Sequence, residues 1–223
     1  MCGRFTLANP AAAFKTMPWL REIPATPPRC NIAPGQLAAI IWDPLAPRAR
    51  TARWGFPKTW TSATSELLIN ARSEKVLETS TFAEAFRQRR CVIPADGFYE
   101  WRKTSVPAEP FLFQLSAGAP FCLAGLYNYY GAELNFVILT TTANAVVRHV
   151  HPRMPVMIPP AEAMAYISAP AEAPETRRFF QPYPANGMNF HRVSPLVNRV
   201  ENDSRACMDM YQPSPDKQSG LFQ

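Results

Sequence analysis

The abundance of proline restricts the folds open to this chain more than any other feature of its sequence. The 223 residues include twenty-four prolines and only nine glycines. Proline lacks a backbone N–H and fixes φ, so it interrupts helices and the interior of sheets. Prolines spread along a chain therefore favour short strands joined by rigid turns. Hydrophobic residues make up 47 % of the chain, which is enough for a packed core.

Short segments rich in β-forming residues and bounded by Gly or Pro predict most of the strands. They cover residues 37–42, 49–56, 91–94, 98–103, 111–115, 121–127 and 135–141. Helices are predicted at 9–17, 81–90 and 160–168, a further short element at 194–200, and a proline-punctuated loop at 21–36. We therefore expect an α+β fold in which one mainly-β domain, residues 1–208, carries a few short peripheral helices. The polar, proline-containing segment 209–223 is predicted to be a flexible tail.

The charge of the chain permits a nucleic-acid partner but does not require one. The net charge is +6, and eighteen of the twenty-three basic residues are Arg. Arg binds phosphate through a planar fork of donors, which favours nucleic acid as a ligand. A coding bias toward Arg, Ala and Pro explains the same composition equally well.

The cysteines and the apolar segments indicate the compartment. Five cysteines, an odd number, occur without a CxxC pair, which argues against a disulfide framework and a cysteine-rich zinc site. No apolar signal segment begins the chain, and no stretch reaches the roughly 18 apolar residues of a membrane span. We expect a cytoplasmic protein, nucleoid-associated if bacterial, with no membrane contact, metal or cofactor.

The start of the chain, Met1-Cys2-Gly3-Arg4, offers an unusual nucleophile. Removal of Met1 would leave an α-amine and a thiol on Cys2, and an α-amine has a pKa near 8, below the value of about 10.4 for Lys. The amine can form an imine with an aldehyde, and the thiol can then close a thiazolidine ring in an intramolecular step. The alternative is a buried Cys without a chemical role.

Asn70 and Arg72 form a second candidate group, directly after an apolar run. The Asn70 amide is suited to positioning a hydroxyl or an amine, and the alternative is a turn or cap residue. Arg72 is suited to holding a phosphate, and the alternative is a salt bridge with Glu74.

Glu100 lies in a predicted strand, where alternation places Phe98, Glu100 and Arg102 on one face. A carboxyl group between aromatic residues tends to have a raised pKa, which suits a general acid or base near neutral pH. The alternative is an exposed Glu100 paired with Arg102.

Two of the three histidines, His149 and His151, lie in one segment flanked by arginines. No matching group of cysteines or carboxylates suggests a metal site. A histidine that shuttles protons or stabilises an oxyanion is the better functional interpretation of His151, and an ordinary core or surface histidine is the alternative.

Taken in order, these segments resemble the SRAP family, the SOS response-associated peptidase domain proteins also called abasic site processing proteins. The matching segments are 1–5 (MCGRF), 31–34 (NIAP), 53–55 (RWG), 70–74 (NARSE), 90–101 (RCVIPADGFYEW), 124–126 (AGL), 140–144 (TTTAN), 151–156 (HPRMPV) and 193–198 (VSPLVN). Each motif is weak alone, but their joint occurrence over nearly the whole chain is highly specific.

The resemblance implies a set of catalytic residues. Cys2, freed of Met1, would form a thiazolidine with the ring-opened sugar of an abasic site in single-stranded DNA. Glu100 would assist ring opening and proton transfer, and His151 would shuttle protons or stabilise the sugar oxygen. Asn70 would orient Cys2 and the sugar.

The resemblance also implies how DNA is held, in a positively charged groove of a SRAP-type domain. Arg4, Arg72 and Arg153 match positions that bind DNA phosphates. Pro34 and Trp60 match positions that stack or wedge against bases, which suits single strands, because these are bound by basic grooves and stacking aromatics. We expect a monomer whose partner is single-stranded DNA containing abasic sites.

The sequence departs from the family pattern in two places and leaves three functions open. Pro152 stands where an acidic residue is common, and Pro57 is one position earlier than usual.

The leading hypothesis is a protein that senses abasic sites and shields them by crosslinking in the DNA damage response. The alternatives are a thiol autopeptidase that removes its own Met1, and a non-catalytic single-stranded DNA-binding protein. An AP-lyase side reaction is also conceivable.

Overall fold

The computed structural model describes residues 2–58, 66–103 and 108–211. The strands of this part are β1 (Arg4–Leu7), β2 (Arg29–Ile32), β3 (Leu37–Trp42), β4 (Arg48–Trp54), β5 (Phe56–Pro57), β6 (Leu67–Leu68), β7 (Asn70–Arg72), β8 (Arg90–Ala95), β9 (Gly97–Arg102), β10 (Glu109–Leu115), β11 (Phe121–Tyr130), β12 (Glu133–Thr142), β13 (Arg153–Pro155), β14 (Met157–Ile158) and β15 (Met188–Arg192). Its α-helices are α1 (Pro10–Lys15), α2 (Ser80–Gln88), α3 (Ala145–Arg148), α4 (Ala163–Ser168) and α5 (Pro174–Arg177).

A closed ring of strands forms one half of the fold. β12, β4, β3, β8 and β11 pair in this order, and β11 pairs back with β12, so the sheet closes on itself. All of these pairings are antiparallel except that of β4 with β12. β7 and β13 pair with β12, and β14 pairs with β11. Closure removes the unpaired edges that an open sheet of this size would expose.

A second, five-stranded antiparallel sheet has the order β15-β10-β9-β1-β2. Aromatic side chains join the two sheets. Phe5 on β1 meets Trp54 on β4 edge to face at 5.2 Å between ring centroids, and Trp54 stacks on Phe136 at 6.2 Å. All three side chains are fully buried. The ends of β1 and β9 are thereby held against the barrel, where the candidate site lies.

The mainly-β fold class predicted from the sequence is confirmed. β3 spans the predicted residues, and the predicted helix at 81–90 corresponds to α2, whose Phe82 and Phe86 are buried. The helix predicted at 160–168 is a 3₁₀ turn followed by α4, and the short element at 194–200 is the 3₁₀ helix Pro195–Asn198.

The loop predicted at 21–36 is wrong in part, because it contains β2. Asp203 stabilises this strand from far along the chain. One oxygen of its carboxylate accepts hydrogen bonds from the backbone N–H groups of Cys30 at 2.6 Å and Asn31 at 2.8 Å. β2 then pairs with β1, so its backbone groups are satisfied although prolines precede it.

The first residues of the predicted tail still contact the domain. Met210 forms a bridge with Val193, and the Tyr211 N–H donates to the Arg192 carbonyl at 2.9 Å. The remainder of that segment, residues 212–223, lies outside the described residues, as does Trp60. In the described part of the chain, every helix is too short or too polar to cross a membrane.

Candidate active site

Cys2 lies immediately before β1, where the five-stranded sheet meets the barrel. Its side chain is fully buried, and its Sγ is 3.7 Å from the Arg4 carbonyl oxygen. Asn70, at the start of β7 in the barrel sheet, donates from Nδ2 to the Cys2 carbonyl oxygen at 2.8 Å. Burial, together with the nearby Glu100 carboxyl group, raises the pKa of the Cys2 thiol far above its ordinary value. The thiol is therefore protonated at neutral pH in a chain that retains Met1.

Glu100 occupies the inward face of β9. β9 pairs with β1 in a register that places Tyr99 opposite Arg4. The residue is 2 % exposed, and burial raises the pKa of its carboxyl group from 4.5 to about 7. Arg102 pairs with Glu109 and not with Glu100, so the exposed ion pair considered as an alternative does not form. Glu100 is therefore a buried carboxyl group with a raised pKa, as expected for a carboxyl group between aromatic residues.

His151 follows α3 and brings an imidazole to the same place. Its Nδ1 is 3.7 Å from Glu100 Oε1. The backbone N–H of Arg153 donates to Nδ1 at 3.1 Å, and the carbonyl oxygen of Arg153 is also 3.1 Å from Nδ1. Nδ1 thus has an acceptor when it carries a proton and a donor when it does not. Burial lowers the pKa of His151 below its ordinary value, so the neutral ring predominates at pH 7.

A cleft of about 550 Å³ opens beside these groups. It is lined by Gly3, Arg4, Pro34, Glu100, Trp101, Lys103, Ala108, His151 and Asn198. Four of the nine predicted site residues share this cleft, although they come from four separate parts of the chain. A larger cleft of about 1050 Å³ lies elsewhere, between α2 and the segment that follows α5, and contains none of the candidate catalytic residues.

Two of the predicted phosphate-binding arginines make internal hydrogen bonds. The guanidinium of Arg4 donates to Asn31 Oδ1 at 2.8 Å and to the carbonyl oxygens of Val197 at 2.5 Å and Asn198 at 3.2 Å. These bonds tie the start of β1 to β2 and to the 3₁₀ helix after β15.

Arg153 is held in a similar way. Its guanidinium makes a bidentate ion pair with Glu74, at 2.7 and 2.9 Å, and also donates to the Thr140 carbonyl at 2.6 Å. Glu74 therefore pairs with Arg153, and the salt bridge between Arg72 and Glu74, considered as an alternative, does not form in the part of the chain that the structure describes. Arg72 is exposed on β7.

No role was predicted for several residues that line the cleft or support its wall. Trp101 Nε1 donates to Asn198 Oδ1 at 2.8 Å, which fixes the indole at the wall. The buried Asn31 side chain donates to three carbonyls of the segment 197–202. The sequence signal that could have identified them is the family resemblance, since the matching segments contain Trp101, Asn31 and Asn198.

The residues around the cleft contain no metal-binding group. Within residues 2–58, 66–103 and 108–211, no cluster of three His, Cys, Asp or Glu side chains is arranged to hold a metal ion. All five cysteines are buried free thiols.

The fold and the site together define a class: a barrel and sheet domain with a buried cysteine near its N-terminus, next to a carboxyl group and an imidazole. The sequence pattern of the SOS response associated peptidase (SRAP) family matches residues 1–200. The chain belongs to this family.

Relatives from two bacteria support the assignment over more than nine-tenths of the chain. The chain is 32 % identical to "Abasic site processing protein YoaM" of Bacillus subtilis, over 94 % of this chain and 98 % of that protein. It is 26 % identical to "Abasic site processing protein YedK" of Escherichia coli, over 91 % of this chain and 96 % of that protein.

Solved structures share the fold. A crystal structure of a protein from Bordetella bronchiseptica is 30 % identical, with a TM-score of 0.75 over 86 % of this chain and 100 % of that one. A protein from Bacteroides thetaiotaomicron is 18 % identical, with a TM-score of 0.78 over 94 % of this chain and 100 % of that one, and this likeness concerns the fold alone.

Proposed function

We propose that this protein senses abasic sites in single-stranded DNA and crosslinks to them through Cys2 after removal of Met1, which shields the lesion in the DNA damage response. The observation that carries the proposal is the position of Cys2. Its carbonyl is held by Asn70 at 2.8 Å, and its thiol lies near Glu100, which is 3.7 Å from His151. The names of the relatives, abasic site processing proteins, support the same substrate.

The covalent chemistry follows from the two nucleophiles of an N-terminal cysteine. The abasic sugar opens to an aldehyde at C1′. The neutral α-amine of Cys2 adds to C1′, and loss of one water gives an imine. The thiol then adds across the C=N bond, so that sulfur binds C1′ and its proton passes to nitrogen. The product is a thiazolidine, and the reaction releases one water in total.

Glu100 and His151 supply the proton transfers of this scheme. Burial raises the pKa of the Glu100 carboxyl group well above its ordinary value, so its protonated form is available near neutral pH. It therefore donates a proton to the ring oxygen as the sugar opens, and the resulting carboxylate accepts a proton later. His151, predominantly neutral, passes protons between this carboxyl group and the departing water.

The burial of Cys2 fits a reaction that requires Met1 removal. With Met1 in place the Cys2 nitrogen is an amide and cannot attack a carbonyl. Cleavage removes the residue bonded to that nitrogen and so uncovers it. An α-amine with a pKa near 8 is then partly neutral at pH 7 and competent as a nucleophile.

We further propose that DNA is held in a positively charged groove along the cleft. Pro34 is half-buried in the cleft wall, where it is suited to contact a base or sugar. Arg72 is exposed on the barrel side of Cys2 and is suited to bind a phosphate. Arg4 and Arg153 contribute positive charge from fixed positions, and Trp60 remains a predicted stacking residue.

The test is incubation of the mature protein with single-stranded DNA that carries one abasic site, followed by a denaturing gel. A band of the combined mass is expected. Cys2→Ala abolishes it, and Cys2→Ser gives at most a weak, reversible adduct. DNA with a tetrahydrofuran analogue, which has no aldehyde, is the matched control and forms no adduct. Absence of an adduct with true abasic DNA would reject crosslinking and leave a non-catalytic DNA-binding protein.

A second activity, removal of its own Met1, is favoured by the nearness of Glu100 to the Cys2 thiol. The thiol would add to the Met1 carbonyl carbon and accept the acyl group as the C–N bond breaks and the nitrogen gains a proton. Water would then release methionine and restore the thiol. In cells without methionine aminopeptidase, Met1 loss that depends on Glu100 and His151 is the expected result, and full retention of Met1 by the wild type would exclude it.

An AP-lyase side reaction competes at the imine. The imine acidifies the C2′ hydrogen, so elimination of the 3′ phosphate can nick the strand before the thiol closes the ring. We propose that Cys2→Ser increases nicking relative to crosslinking, because a hydroxyl is a weaker nucleophile than a thiol. A sequencing gel of the DNA products measures both, and an unchanged ratio would contradict this proposal.

A further inference from the structure

The basic side chains near the cleft differ in whether their N–H groups already donate hydrogen bonds within the protein. Arg4 donates to three oxygen atoms of its own chain, and Arg153 makes a bidentate ion pair with Glu74. A phosphate that took either guanidinium would have to compete with these internal partners. Both arginines are therefore better suited to building the site than to holding a mobile ligand.

The ammonium group of Lys103, in contrast, is available to a ligand. Lys103 follows β9 directly, lines the cleft and is exposed. Among the described residues its ammonium group makes no hydrogen bond and no ion pair. Its charge acts on both proton-transfer groups. Burial dominates the pKa shifts of Glu100 and His151, and the Lys103 ammonium acts on each group to lower its pKa.

The position of Lys103 relative to Cys2 complements that of Arg72. Lys103 belongs to the five-stranded sheet through β9, and Arg72 belongs to the barrel sheet through β7. Cys2 touches both sides, through Asn70 on β7 and through its proximity to Glu100 on β9. One available cation therefore lies on each side of the nucleophile, as a strand with a phosphate on either side of the lesion requires.

We propose that Lys103 binds a DNA phosphate next to the abasic site, and that Arg4 and Arg153 maintain the shape of the cleft. This inference rests on the proposed function for the nature of the ligand. An ammonium group on a flexible stem makes a point-charge contact with phosphate, and no competing partner has to be displaced. Lys103 is then a binding residue for the lesion strand, and its loss weakens association without removing the nucleophile.

The test measures binding separately from chemistry. The probe is fluorescently labelled single-stranded DNA with one tetrahydrofuran analogue, and the affinity is measured by anisotropy between about 50 and 200 mM NaCl. Each phosphate contact with a single strand contributes about −0.7 to the slope of log K against log salt, so Lys103→Gln makes the slope shallower by about 0.7. Over this fourfold salt range the wild type therefore loses about 2.6-fold more affinity than the variant.

Matched variants distinguish a local contact from net charge and from misfolding. Lys103→Arg restores the wild-type slope, because the contact requires charge. Lys15→Gln, an exposed lysine at the end of α1 and outside the cleft, leaves the slope unchanged. Arg4→Gln lowers the thermal stability, because the buried Asn31 Oδ1 loses the guanidinium that donates to it. A Lys103→Gln slope equal to that of the wild type would overturn the inference.

Crosslinking to true abasic DNA is the second arm of the experiment. At limiting protein concentration Lys103→Gln slows adduct formation because it weakens binding, and the rate at saturating protein reports separately any change in the proton-transfer groups Glu100 and His151. If the wild type binds the analogue but forms no adduct with true abasic DNA, the proposed function fails while the assignment of Lys103 stands. If the wild type crosslinks and Lys103→Gln changes neither slope nor rate, only the assignment of Lys103 fails.

Discussion

Replacement of Glu100 by Gln should stabilise the protein in alkaline solution and change its stability little in acid. Burial raises the pKa of the Glu100 carboxyl group in the folded protein from 4.5 to about 7. The folded state therefore binds this proton more tightly than the unfolded state. Below pH 4.5 both states are protonated and the group costs nothing. As the pH rises from 4.5 through 7, the folded protein progressively loses this stability.

The size of the effect follows from the same pKa. Each tenfold change in proton affinity is worth about 1.4 kcal/mol, so a pKa raised from 4.5 to about 7 costs the ionised form about 3 kcal/mol. Glu100 is 2 % exposed, so solvent screening reduces this cost little. Glutamine is neutral at every pH and nearly the same shape. The variant should therefore be more stable than the wild type by up to about 3 kcal/mol at pH 8 and similar to it at pH 4.5.

Urea unfolding at a series of pH values between 4.5 and 8 measures this difference. With a denaturant slope of roughly 3 kcal/mol per molar, the midpoint of the variant at pH 8 should be higher by about 1 M urea. Intact mass confirms that both proteins have the same N-terminus. Glu78→Gln, a change at an exposed carboxylate, is the control and should show no such pH dependence. An equal difference between Glu100→Gln and wild type at pH 4.5 and pH 8 would refute the raised pKa.

The remaining predictions concern the chemistry of the site. The crosslinking rate should follow a bell-shaped pH profile, because it requires a neutral Cys2 amine, whose pKa is near 8, and a protonated Glu100, whose pKa is raised by burial. Glu100→Gln should lose the alkaline limb of this profile, and a monotonic wild-type profile would contradict these roles. Asn70→Ala removes the 2.8 Å hydrogen bond to the Cys2 carbonyl and should slow crosslinking about 5- to 10-fold, corresponding to about 1 kcal/mol; an unchanged single-turnover rate would contradict a positioning role. Glu74→Gln removes the carboxylate that holds Arg153, and the backbone of Arg153 contacts His151, so this variant should crosslink more slowly. Its free energy of unfolding should fall by less than about 1 kcal/mol, since the ion pair is partly exposed. A normal rate and pH profile would show that the ion pair does not position His151.

Local patterns predicted the elements that are stabilised locally. β3 and the helix α2 have strong periodicity of their own, and both form where the sequence indicates. β2 was missed because its stability comes from Asp203, more than 170 residues away, and from pairing with β1. β15 was missed because it has little hydrophobic pattern and depends on pairing with β10.

The site was predictable in its parts, and its assembly rested on the family resemblance. Alternation along β9 placed Glu100 on the same face as Phe98 and left open whether the carboxyl group was exposed, and the structure buries it. The proximity of His151 to Glu100 depends on the barrel closing and cannot be read from one strand. The phosphate contacts predicted for Arg4 and Arg153 came from the family resemblance. Their internal partners, Val197, Asn198 and Glu74, are distant in sequence, so a match to the family motifs could not show that their donors are occupied.

The most direct test of the central claim is the intact mass of the mature protein before and after exposure to single-stranded DNA with one abasic site. Before exposure the mass should correspond to a chain that begins at Cys2. Afterwards it should equal the sum of protein and DNA less one water, and borohydride should leave it unchanged, because a thiazolidine has no C=N bond to reduce. A retained Met1, or an adduct that gains two hydrogens on reduction, would contradict attack by both the nitrogen and the sulfur of Cys2.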